Sequence, residues 1–471
     1  MGPPSFSMQA LSSFSGNSLS LYKMKLLQNY ASPFVGLLKD QQFREGEPYR
    51  LMHFVVRQPV EEGLLLYNVL TRAVVLLTPE EARAMEEDAA AVPELIAKWF
   101  AVPLSFDDRN LAREVRAVGK MLEKRPKGIT GYTILTTTDC NARCFYCYEK
   151  GRRRIPMTDR TARKAVEFIL RNSLGEKIQF RWFGGEPLYN KRAISLICGL
   201  LRDAKVDYRS SMVSNGYLFD DETIAEAVGL WNLKKVQITL DGTEEVYNRS
   251  KAFIQAEGSP YRRVLENISR LLQAGIRVNV RLNIDRHNAD DLFDLADILI
   301  AKYGGNELFT VYSHALFETG VAESAVSHTE AQRRDLFETR MRLQEQLKRG
   351  KIAVDHKLPD KLKLHRCMAD SDANILILPD GHLGKCEHYS DDHWVGNLDS
   401  AERDESVLEE FKRLREEIDA CADCPFYPDC FRLTLCDEAA HCYPEEREEK
   451  LEETRQSLLS FYQKRKDEVS D

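Results

Sequence analysis

The sequence lacks any run of about 18–20 consecutive apolar residues, the length that a membrane-spanning helix requires. It also lacks a basic segment followed by an apolar core near its start, so the Ser- and Gly-rich residues 1–24 are predicted to be a disordered start and not a signal peptide. Excess basic charge is missing too, because the formal net charge is -8, which argues against a general nucleic-acid binder. We therefore expect a cytoplasmic protein that binds neither a membrane nor nucleic acid.

Cysteine, in contrast, is abundant. The 471 residues include 11 cysteines, and all but Cys198 fall into two groups whose short spacings are typical of metal ligands. Disulfides are rare in a reducing cytosol, so metal binding is the favoured interpretation. Cys198 lies in the amphipathic run Ile194–Leu201 and is predicted to be an inert buried thiol. A chain of this length has room for two or three domains.

The first cysteine group is Cys140, Cys144 and Cys147, in the spacing C-x3-C-x2-C directly after the apolar, strand-like run Tyr132–Thr138. Structural zinc sites and simple iron–sulfur sites use four protein ligands. Three thiolates leave one position of such a site open. The spacing therefore predicts a cluster with one iron available to a small molecule.

This motif, with Tyr146 before the last cysteine, resembles the signature of the radical S-adenosylmethionine (SAM) superfamily. The resemblance implies that the three thiolates hold a [4Fe–4S] cluster and that the amino and carboxylate groups of SAM bind its fourth iron. It also implies that an electron from the cluster cleaves SAM to methionine and a 5′-deoxyadenosyl radical, which abstracts a hydrogen from the substrate. The alternative is half of a zinc site, or three incidental thiols.

Residues 25–128 are predicted to form a small separate domain. Its strand patterns are Tyr49–Val56, Gly63–Asn68 and Ala73–Leu77, and its helical patterns are Thr78–Glu87, Val92–Phe100 and Asp107–Lys124. This order resembles the winged-helix element that binds leader peptides in many peptide-modifying enzymes, where the leader adds as an extra strand to an exposed edge. A structural cap is the alternative.

Residues 129–350 alternate between strand and helix patterns, which predicts an α/β fold with a parallel sheet and right-handed crossovers. The strand patterns are Thr133–Thr138, Ile178–Phe183, Tyr208–Ser214, Lys235–Leu240, Arg277–Ile284 and Phe309–Ser313. The radical SAM resemblance implies an open, TIM-like partial barrel of the (β/α)6 type. Sites in such folds gather at the C-terminal ends of the strands.

Several motifs follow these predicted strands and resemble SAM-binding positions of the family. Gly184, Gly185 and Glu186 resemble the motif that binds the SAM amino group, although a plain turn is the alternative. By the same resemblance, Ser214 and Asn215 are predicted to contact the ribose of SAM, Arg281 its carboxylate and Tyr146 its adenine. An exposed strand arginine and a packed core aromatic are the alternatives for Arg281 and Tyr146. Asp241 is predicted to contact substrate or ribose, or else to cap the next helix.

The second cysteine group resembles the SPASM extension, which carries two auxiliary [4Fe–4S] clusters, and is predicted to occupy residues 351–445. When the ligand positions of that extension are transferred to this sequence, one cluster would be held by Cys421, Cys424, Cys430 and Cys442. The other would be held by Cys367, Cys386 and Cys436. The second set lacks an eighth cysteine, so a non-cysteine ligand (His365, His388 or Asp370) or an open iron would complete it. The spacing before Cys436 departs from the usual pattern, and zinc is the alternative metal.

Glu387 directly follows Cys386. The resemblance to maturases that oxidise a side chain implies that Glu387 is a catalytic proton acceptor, and a surface or cluster-shell acid is the alternative. The run Arg152–Arg154 is predicted to be solvated charge, with contact to an acidic peptide segment as the alternative. Residues 446–471 are predicted to form a C-terminal helix.

Together these features predict a radical SAM/SPASM enzyme that modifies a ribosomally made precursor peptide and receives electrons from reduced flavodoxin or ferredoxin. A cluster with only three obvious thiolates could bind a substrate cysteine, which favours a thioether crosslink from cysteine sulfur to carbon. The alternatives are carbon–carbon or ether crosslinking, oxidation of a sulfatase Cys or Ser to formylglycine, and a non-catalytic iron–sulfur or zinc protein.

Overall fold

The computed structural model describes residues 24–28, 46–122, 127–316, 329–354, 358–359, 362, 367–389, 393–400, 404–412, 417–430, 442 and 444–470. Residues 1–23 of the predicted disordered start and the predicted ligand Cys436 lie outside these residues. Among the helices of the described part, none combines the length and the apolar character needed to cross a bilayer.

The N-terminal part forms a small α+β unit. Its strands are β1 (Lys25–Gln28), β2 (Tyr49–Leu51), β3 (Val55–Val60), β4 (Gly63–Asn68), β5 (Val74–Leu77) and β6 (Ala101–Pro103), and its helices are α1 (Pro79–Glu87), α2 (Pro93–Ala97) and α3 (Asp108–Leu122). β1, β5, β4 and β3 form an antiparallel sheet in that order, and β2 pairs with β6. α1 begins as its sequence indicates, because Thr78 and Glu81 form a reciprocal capping box.

Two predicted elements in this unit are wrong in extent. The single strand Tyr49–Val56 is two strands, since β2 pairs with β6 whereas β3 pairs with β4. The helix Val92–Phe100 stops at Ala97, and the chain continues into β6. The physical reason for the early stop is the left-handed backbone of Trp99, at φ 61°, whose carbonyl accepts a hydrogen bond of 2.5 Å from the Asn68 side chain.

The central part of the chain alternates strands and helices as predicted. The strands are β7 (Gly131–Thr137), β8 (Ile178–Gly184), β9 (Tyr208–Ser214), β10 (Leu233–Thr239), β11 (Arg277–Ile284) and β12 (Phe309–Ala315), with helices α4 (Asp159–Asn172), α5 (Lys191–Asp203), α6 (Asp221–Gly229), α7 (Glu244–Lys251), α8 (Pro260–Gln273) and α9 (Asp291–Tyr303). β7 to β12 pair in sequence order and run parallel. The predicted α/β fold with a parallel sheet is confirmed.

Successive side chains of each strand point to opposite sides of the sheet, and the two faces differ in polarity. In β11, Val278, Val280 and Leu282 are fully buried in the core that the helices cover. The intervening residues Asn279 and Arg281 point to the opposite face, which we call the inner face. On this face the Tyr312 hydroxyl of β12 donates a 3.0 Å hydrogen bond to the Gln237 side chain of β10, across the intervening strand. The inner face is therefore polar, and its side chains converge.

The remaining elements are helices and short strands, and the strands continue the same sheet at both edges. They are α10 (Glu330–Arg349), β13 (Ala353–Val354), β14 (Asn374–Ile377), β15 (His382–Gly384), β16 (Gly396–Asn397), α11 (Glu405–Lys412) and α12 (Pro444–Ser470). β13 adds to β12, and β14 adds in parallel to β7, followed by antiparallel β15 and β16. Residues predicted to form a SPASM extension therefore also protect the two outer strands of the central sheet.

The N-terminal unit packs against the second cysteine group. One apolar core contains Phe54 and Val115 from that unit, together with Cys424 and Tyr427. Arg72, at the turn between β4 and β5, is buried and places its guanidinium 2.6 Å from the buried Asp429 carboxylate. Arg72 also donates a 2.9 Å hydrogen bond to the Tyr67 hydroxyl. Burial opposes the charge on Arg72, but Tyr67 and Asp429 outweigh it and hold the pKa of Arg72 above its usual value.

Replacing Arg72 by Leu should lower the free energy of unfolding by about 3–5 kcal/mol, because the Asp429 carboxylate would be left buried without its partner. Chemical denaturation of the metal-free chain measures this loss. The matched control is Arg83→Leu, since Arg83 makes an exposed ion pair with Glu80 and its loss should cost less than about 1 kcal/mol. Equal effects of the two substitutions would contradict the structural role of Arg72.

Candidate functional site

The first cysteine group lies in a loop that closes on the end of β7. The Thr138 hydroxyl donates to the Arg153 carbonyl at 2.7 Å and accepts from the Ile155 N–H at 2.8 Å, which joins the two ends of the loop. The Met157 N–H bonds to the carbonyl of Thr136 at 2.8 Å. The loop is thus fixed at its base, and the three cysteines stand at the C-terminal edge of the sheet, where the fold predicts a site.

The end of β8 supports this cysteine loop by direct backbone contact. The Gly185 N–H bonds to the Thr137 carbonyl at 3.0 Å, and the Glu186 N–H bonds to the Asp139 carbonyl at 2.9 Å. A Cβ atom at Gly184 would lie 2.1 Å from the Thr137 carbonyl oxygen, and one at Gly185 would lie 2.3 Å from that of Asp139. The glycines are therefore required for close approach of two protein backbones.

Glu186 is the centre of a buried polar network. Its carboxylate accepts hydrogen bonds from the Leu188 N–H, the Ser214 hydroxyl and the Asn215 N–H at 3.1, 2.9 and 2.7 Å. The Asn215 side chain in turn donates to Oδ1 of the Asn141 side chain at 2.7 Å and contacts the Cys140 sulfur at 3.8 Å. The structure thus joins three residues of the predicted SAM site to the cysteine loop.

Burial controls the ionisation of this region. It raises the pKa of Glu186 to about 7, although the three hydrogen bonds act in the opposite direction. It also raises the pKa of Cys140 to about 12 and that of Cys147 to about 11, with the other thiols of the group contributing. The pKa of Cys144 is raised by burial and lowered in part by Lys251. The free thiols are therefore protonated at neutral pH, and ligation by a metal removes their protons.

On the other side of the loop lies a buried ionic triad that the sequence motifs did not indicate. The Lys251 ammonium is 3.0 Å from an Asp241 carboxylate oxygen and donates a 2.6 Å hydrogen bond to the Tyr146 hydroxyl. That hydroxyl donates to the same carboxylate oxygen at 2.5 Å. Burial opposes the charge on Lys251, but Asp241 outweighs it and holds the pKa of Lys251 above its usual value. Asp241 is therefore an ion-pair partner, and the alternative of a helix cap is wrong.

The spacing of Lys251 from Tyr247 explains why this lysine points inward. Tyr247 and Lys251 stand at positions i and i+4 of α7, so that they share one face of the helix. Tyr247 is fully buried, and the Lys251 ammonium lies 5.9 Å from the centre of its ring. A buried aromatic one turn away thus indicates that this lysine points inward.

A cavity of about 390 Å³ opens next to the triad. It is lined by Phe145, Tyr146, Asp241, Val246, Arg249, Ser250, Asn283, Asp285, His287, Asn288 and Leu316. Its size is in the range of small-molecule sites, and its lining combines apolar walls with a few polar groups. The Oδ1 atom of Asp241 is buried and accepts no hydrogen bond within the described residues. One of the residues that line the cavity therefore has an acceptor without a donor.

Arg281 lies on the inner face and is half-buried, so the alternative of an exposed strand arginine is wrong. Its guanidinium donates to the Asn283 side chain at 2.8 Å and lies 3.3 Å from Nδ1 of His314. Burial and Arg281 lower the pKa of His314 to about 3, so this imidazole is neutral. Within the described residues Arg281 forms no ion pair with an acid.

Glu387 reaches the same face from the second cysteine group. Its carboxylate lies 3.5 Å from the Arg181 guanidinium, and its side chain is only 12% exposed, so it is not a surface acid. Arg152 donates to the carbonyls of Glu387 and His388 at 3.2 and 2.9 Å, which corrects the expectation that Arg152 is only solvated. The structure therefore places Glu387 between the first cysteine loop and the inner face.

The cysteines of the second group divide between two places. Cys386 follows β15, where the Lys385 ammonium donates to the carbonyls of Ser371 and Asn374 at 2.6 and 2.8 Å and holds the turn after Cys367 close by. The other place lies at the core shared with the N-terminal unit, where Cys424 is buried and Cys421 and Cys430 pack at its border. Cys424 interacts electrostatically with Cys430 and Cys442 there.

The donor set at the first loop fits an iron–sulfur cluster. Three soft thiols interact electrostatically, a buried ammonium stands beside Cys144, and thiolates are the ligands that such clusters prefer. Within the described residues, no three His, Cys, Asp or Glu side chains converge as the ligands of a single metal ion do. The iron atoms of a cluster occupy separate corners, so its cysteines are spread around it. The fit therefore depends on the chemistry and burial of the donors.

Comparison with known families agrees with this donor set. Residues 134–299 match the model of the family described as the radical SAM superfamily. The chain carries a radical SAM domain. Members of this superfamily are enzymes, and the domain implies a [4Fe–4S] cluster and SAM as cofactors.

The radical SAM domain is similar to parts of several curated proteins. The chain is 30% identical over 119 residues to the uncharacterized protein MJ0907 of Methanocaldococcus jannaschii, covering 25% of this chain and 40% of that protein. It is 28% identical over 184 residues to the GTP 3′,8-cyclase of Clostridium perfringens, covering 38% and 54%. The chain thus spans about half the length of the curated relatives that it matches.

A solved structure shares the fold over a longer region. Native anSMEcpe with bound AdoMet superposes with a TM-score of 0.55 at 14% identity, covering 71% of this chain and 99% of that one. At this identity the likeness establishes the fold alone. It supports the α/β fold over more residues than the family model matches.

Gly185→Ala should displace the first cysteine loop, because the new Cβ atom would meet the Asp139 carbonyl oxygen. We expect a loss of roughly 1–3 kcal/mol in the free energy of unfolding, together with lower iron content after reconstitution. The matched control is Gly199→Ala in α5, where nothing lies within 4 Å of the new atom and the helix should gain about 0.5–1 kcal/mol. Full iron loading of Gly185→Ala would argue against this support of the loop.

Proposed function

We propose that this chain is a radical SAM enzyme that modifies a ribosomally made peptide. The observation that carries the proposal is the position of Cys140, Cys144 and Cys147 at the edge of the parallel sheet, against the Glu186 network. When bound, the [4Fe–4S] cluster and SAM supply a 5′-deoxyadenosyl radical that removes a hydrogen atom from the substrate. The chain supplies binding, orientation and proton transfer.

The residues around the first loop match the groups of SAM. Glu186 uses three hydrogen bonds, and a carboxylate has about four acceptor sites, so one remains for the SAM ammonium. Asp241, whose Oδ1 atom has no hydrogen-bond partner within the described residues, lines the 390 Å³ cavity, where we place the nucleoside with Tyr146 as a wall. Arg281 has only neutral partners within the described residues, and we assign it to the carboxylate of SAM.

A peptide substrate is supported by the inner face and by the N-terminal unit. The inner face presents Arg181, Arg281 and Glu387 beside the cysteine loop, so that a side chain held there is near both cysteine groups. In the N-terminal sheet, β1 already pairs with β5, and a leader strand would add to an outer edge or displace β1. The related fold of anSMEcpe has been solved with AdoMet and the Cp18Cys peptide, at a TM-score of 0.55.

The expected product is a thioether between a cysteine sulfur and a carbon atom of the peptide. By position in the sequence, the auxiliary site that includes Cys367 has only the thiols of Cys367, Cys386 and Cys436, so a substrate cysteine is a suitable fourth ligand. After hydrogen abstraction the substrate must lose one proton and one electron to form such a bond. We assign the proton to Glu387 and the electron to an auxiliary cluster, with flavodoxin or ferredoxin as the external donor for SAM cleavage.

Replacing Cys140, Cys144 and Cys147 together by Ala should abolish SAM cleavage, because the cluster that delivers the electron would lose its ligands. Release of 5′-deoxyadenosine from reconstituted, dithionite-reduced protein measures this reaction. Cys198→Ala is the control, since Cys198 is buried in the helical layer and its loss should leave cleavage unchanged. Cleavage by the triple variant would refute the cluster assignment, and a GTP-dependent increase in the parent protein would favour the cyclase reaction instead.

Glu387→Gln should uncouple the reaction, because Gln keeps a polar contact with Arg181 but cannot accept the substrate proton. We expect SAM cleavage to persist while modified peptide falls by about 100-fold or more. Mass spectrometry of a peptide encoded beside the gene, co-expressed with the enzyme, measures the product. Glu410→Gln, at an exposed position of α11, should have no effect, and unchanged product from Glu387→Gln would exclude Glu387 as the base.

A further inference from the structure

Arg116 of the N-terminal unit is a buried cation with an unusual set of partners. Only 7% of the residue is exposed, and its guanidinium donates to the main-chain carbonyls of Tyr427 and Cys430 at 3.2 and 3.0 Å. A longer contact of 3.5 Å reaches the Pro428 carbonyl. Every one of these partners is neutral.

The neighbouring arginines of the same interface each have an acid. Arg72 pairs with Asp429, and Arg109 and Arg113 both pair with Glu417 at 2.9 and 2.7 Å. Arg116, in contrast, forms no ion pair with any carboxylate of the described residues. Burial of a charge is costly unless an opposite charge is near. The position of Arg116 therefore calls for an anion that the described side chains do not provide.

The predicted ligands of one auxiliary cluster lie at this position. Arg116 bonds to the carbonyl of Cys430 itself, and Cys421, Cys424 and Cys430 border the core that α3 also enters. The negative charge of four thiolates exceeds the positive charge of an oxidised [4Fe–4S] core, so the complete cluster is an anion. One added electron makes it more negative. The donors and the charge of the site fit such a group.

We propose that Arg116 is a buried counter-cation of the cluster held by Cys421, Cys424, Cys430 and Cys442, and that it raises the reduction potential of that cluster. This inference depends on the auxiliary cluster of the proposed function. Reduction adds one electron to the core without a proton and without a change in bonding, and a nearby cation stabilises the more negative state. The N-terminal unit is thereby part of a redox site, in addition to any role in peptide binding.

The test is a potentiometric titration of the reconstituted full chain, with dithionite as reductant and electron paramagnetic resonance as the readout. In every protein tested, the three residues of the first cysteine group are replaced by Ala to remove the signal of the SAM-binding cluster. At the potential that half-reduces the parent cluster, Arg116→Gln should raise the ratio of oxidised to reduced cluster at least tenfold, which is 59 mV for one electron. Arg116→Lys keeps the charge and should stay within threefold of the parent.

Arg113→Gln is the control, because Arg113 lies on the same helix but is 45% exposed and paired with Glu417. It should leave the ratio unchanged, and the signal of the cluster at Cys367 and Cys386 should not shift in any variant. An unshifted, fully loaded Arg116→Gln cluster would overturn the proposal. If Arg116→Gln loses iron and Arg116→Lys does not, the result supports an effect of the positive charge. If both variants lose iron equally, the proposal is overturned.

Failure of the underlying auxiliary cluster gives a different result. Replacement of Cys421 and Cys424 by Ala should remove about one cluster's iron from the parent chain. If that variant keeps all of the iron, the auxiliary cluster is absent and the proposed function is wrong at this point. If the iron is lost but the reduction potential of the cluster does not change when Arg116 is replaced, only the inference about Arg116 fails.

Discussion

The candidate site depends on one backbone contact, between the end of β8 and the start of the cysteine loop. The N–H groups of Gly185 and Glu186 bond to the carbonyls of Thr137 and Asp139, an approach that only residues without a Cβ atom at positions 184 and 185 allow. This contact directs the Glu186 carboxylate toward the end of β9, where Ser214 and the following backbone bind it. Three strand ends thus share one network, and the cysteine loop has a fixed position above the sheet.

Sequence reasoning located the central fold well, because its information is local. β9 and β11 begin and end at the predicted residues, since their apolar runs are bounded by turns and helix starts. The errors lie where distant residues decide the structure. The early end of α2 depends on Trp99 and its contact with Asn68, which is 31 positions away in sequence. The pairing of β13 and β14 with the outer strands of the sheet likewise has no local signal.

The cysteine and Gly-Gly-Glu motifs were recognisable because their chemistry is concentrated in a few adjacent residues. Lys251 and Arg116 were not, since lysine and arginine are exposed in most proteins and their burial here is created by tertiary packing. Arg281 was found through a resemblance, but its neutral partners became visible only in the structure. The sequence therefore predicts which groups could bind a cofactor better than it predicts which charges surround them.

Those surrounding charges give a separate reason to expect bound anions. Lys251 and Arg72 each face an acidic side chain at 3.0 Å or less. Arg281 and Arg116 have only neutral partners within the described residues. A low-dielectric environment makes an unbalanced cation costly, so the last two positions are where a bound anion would restore the balance. They coincide with the places proposed for the SAM carboxylate and an auxiliary cluster, so the charges of the protein point to these places independently of the cysteine spacing.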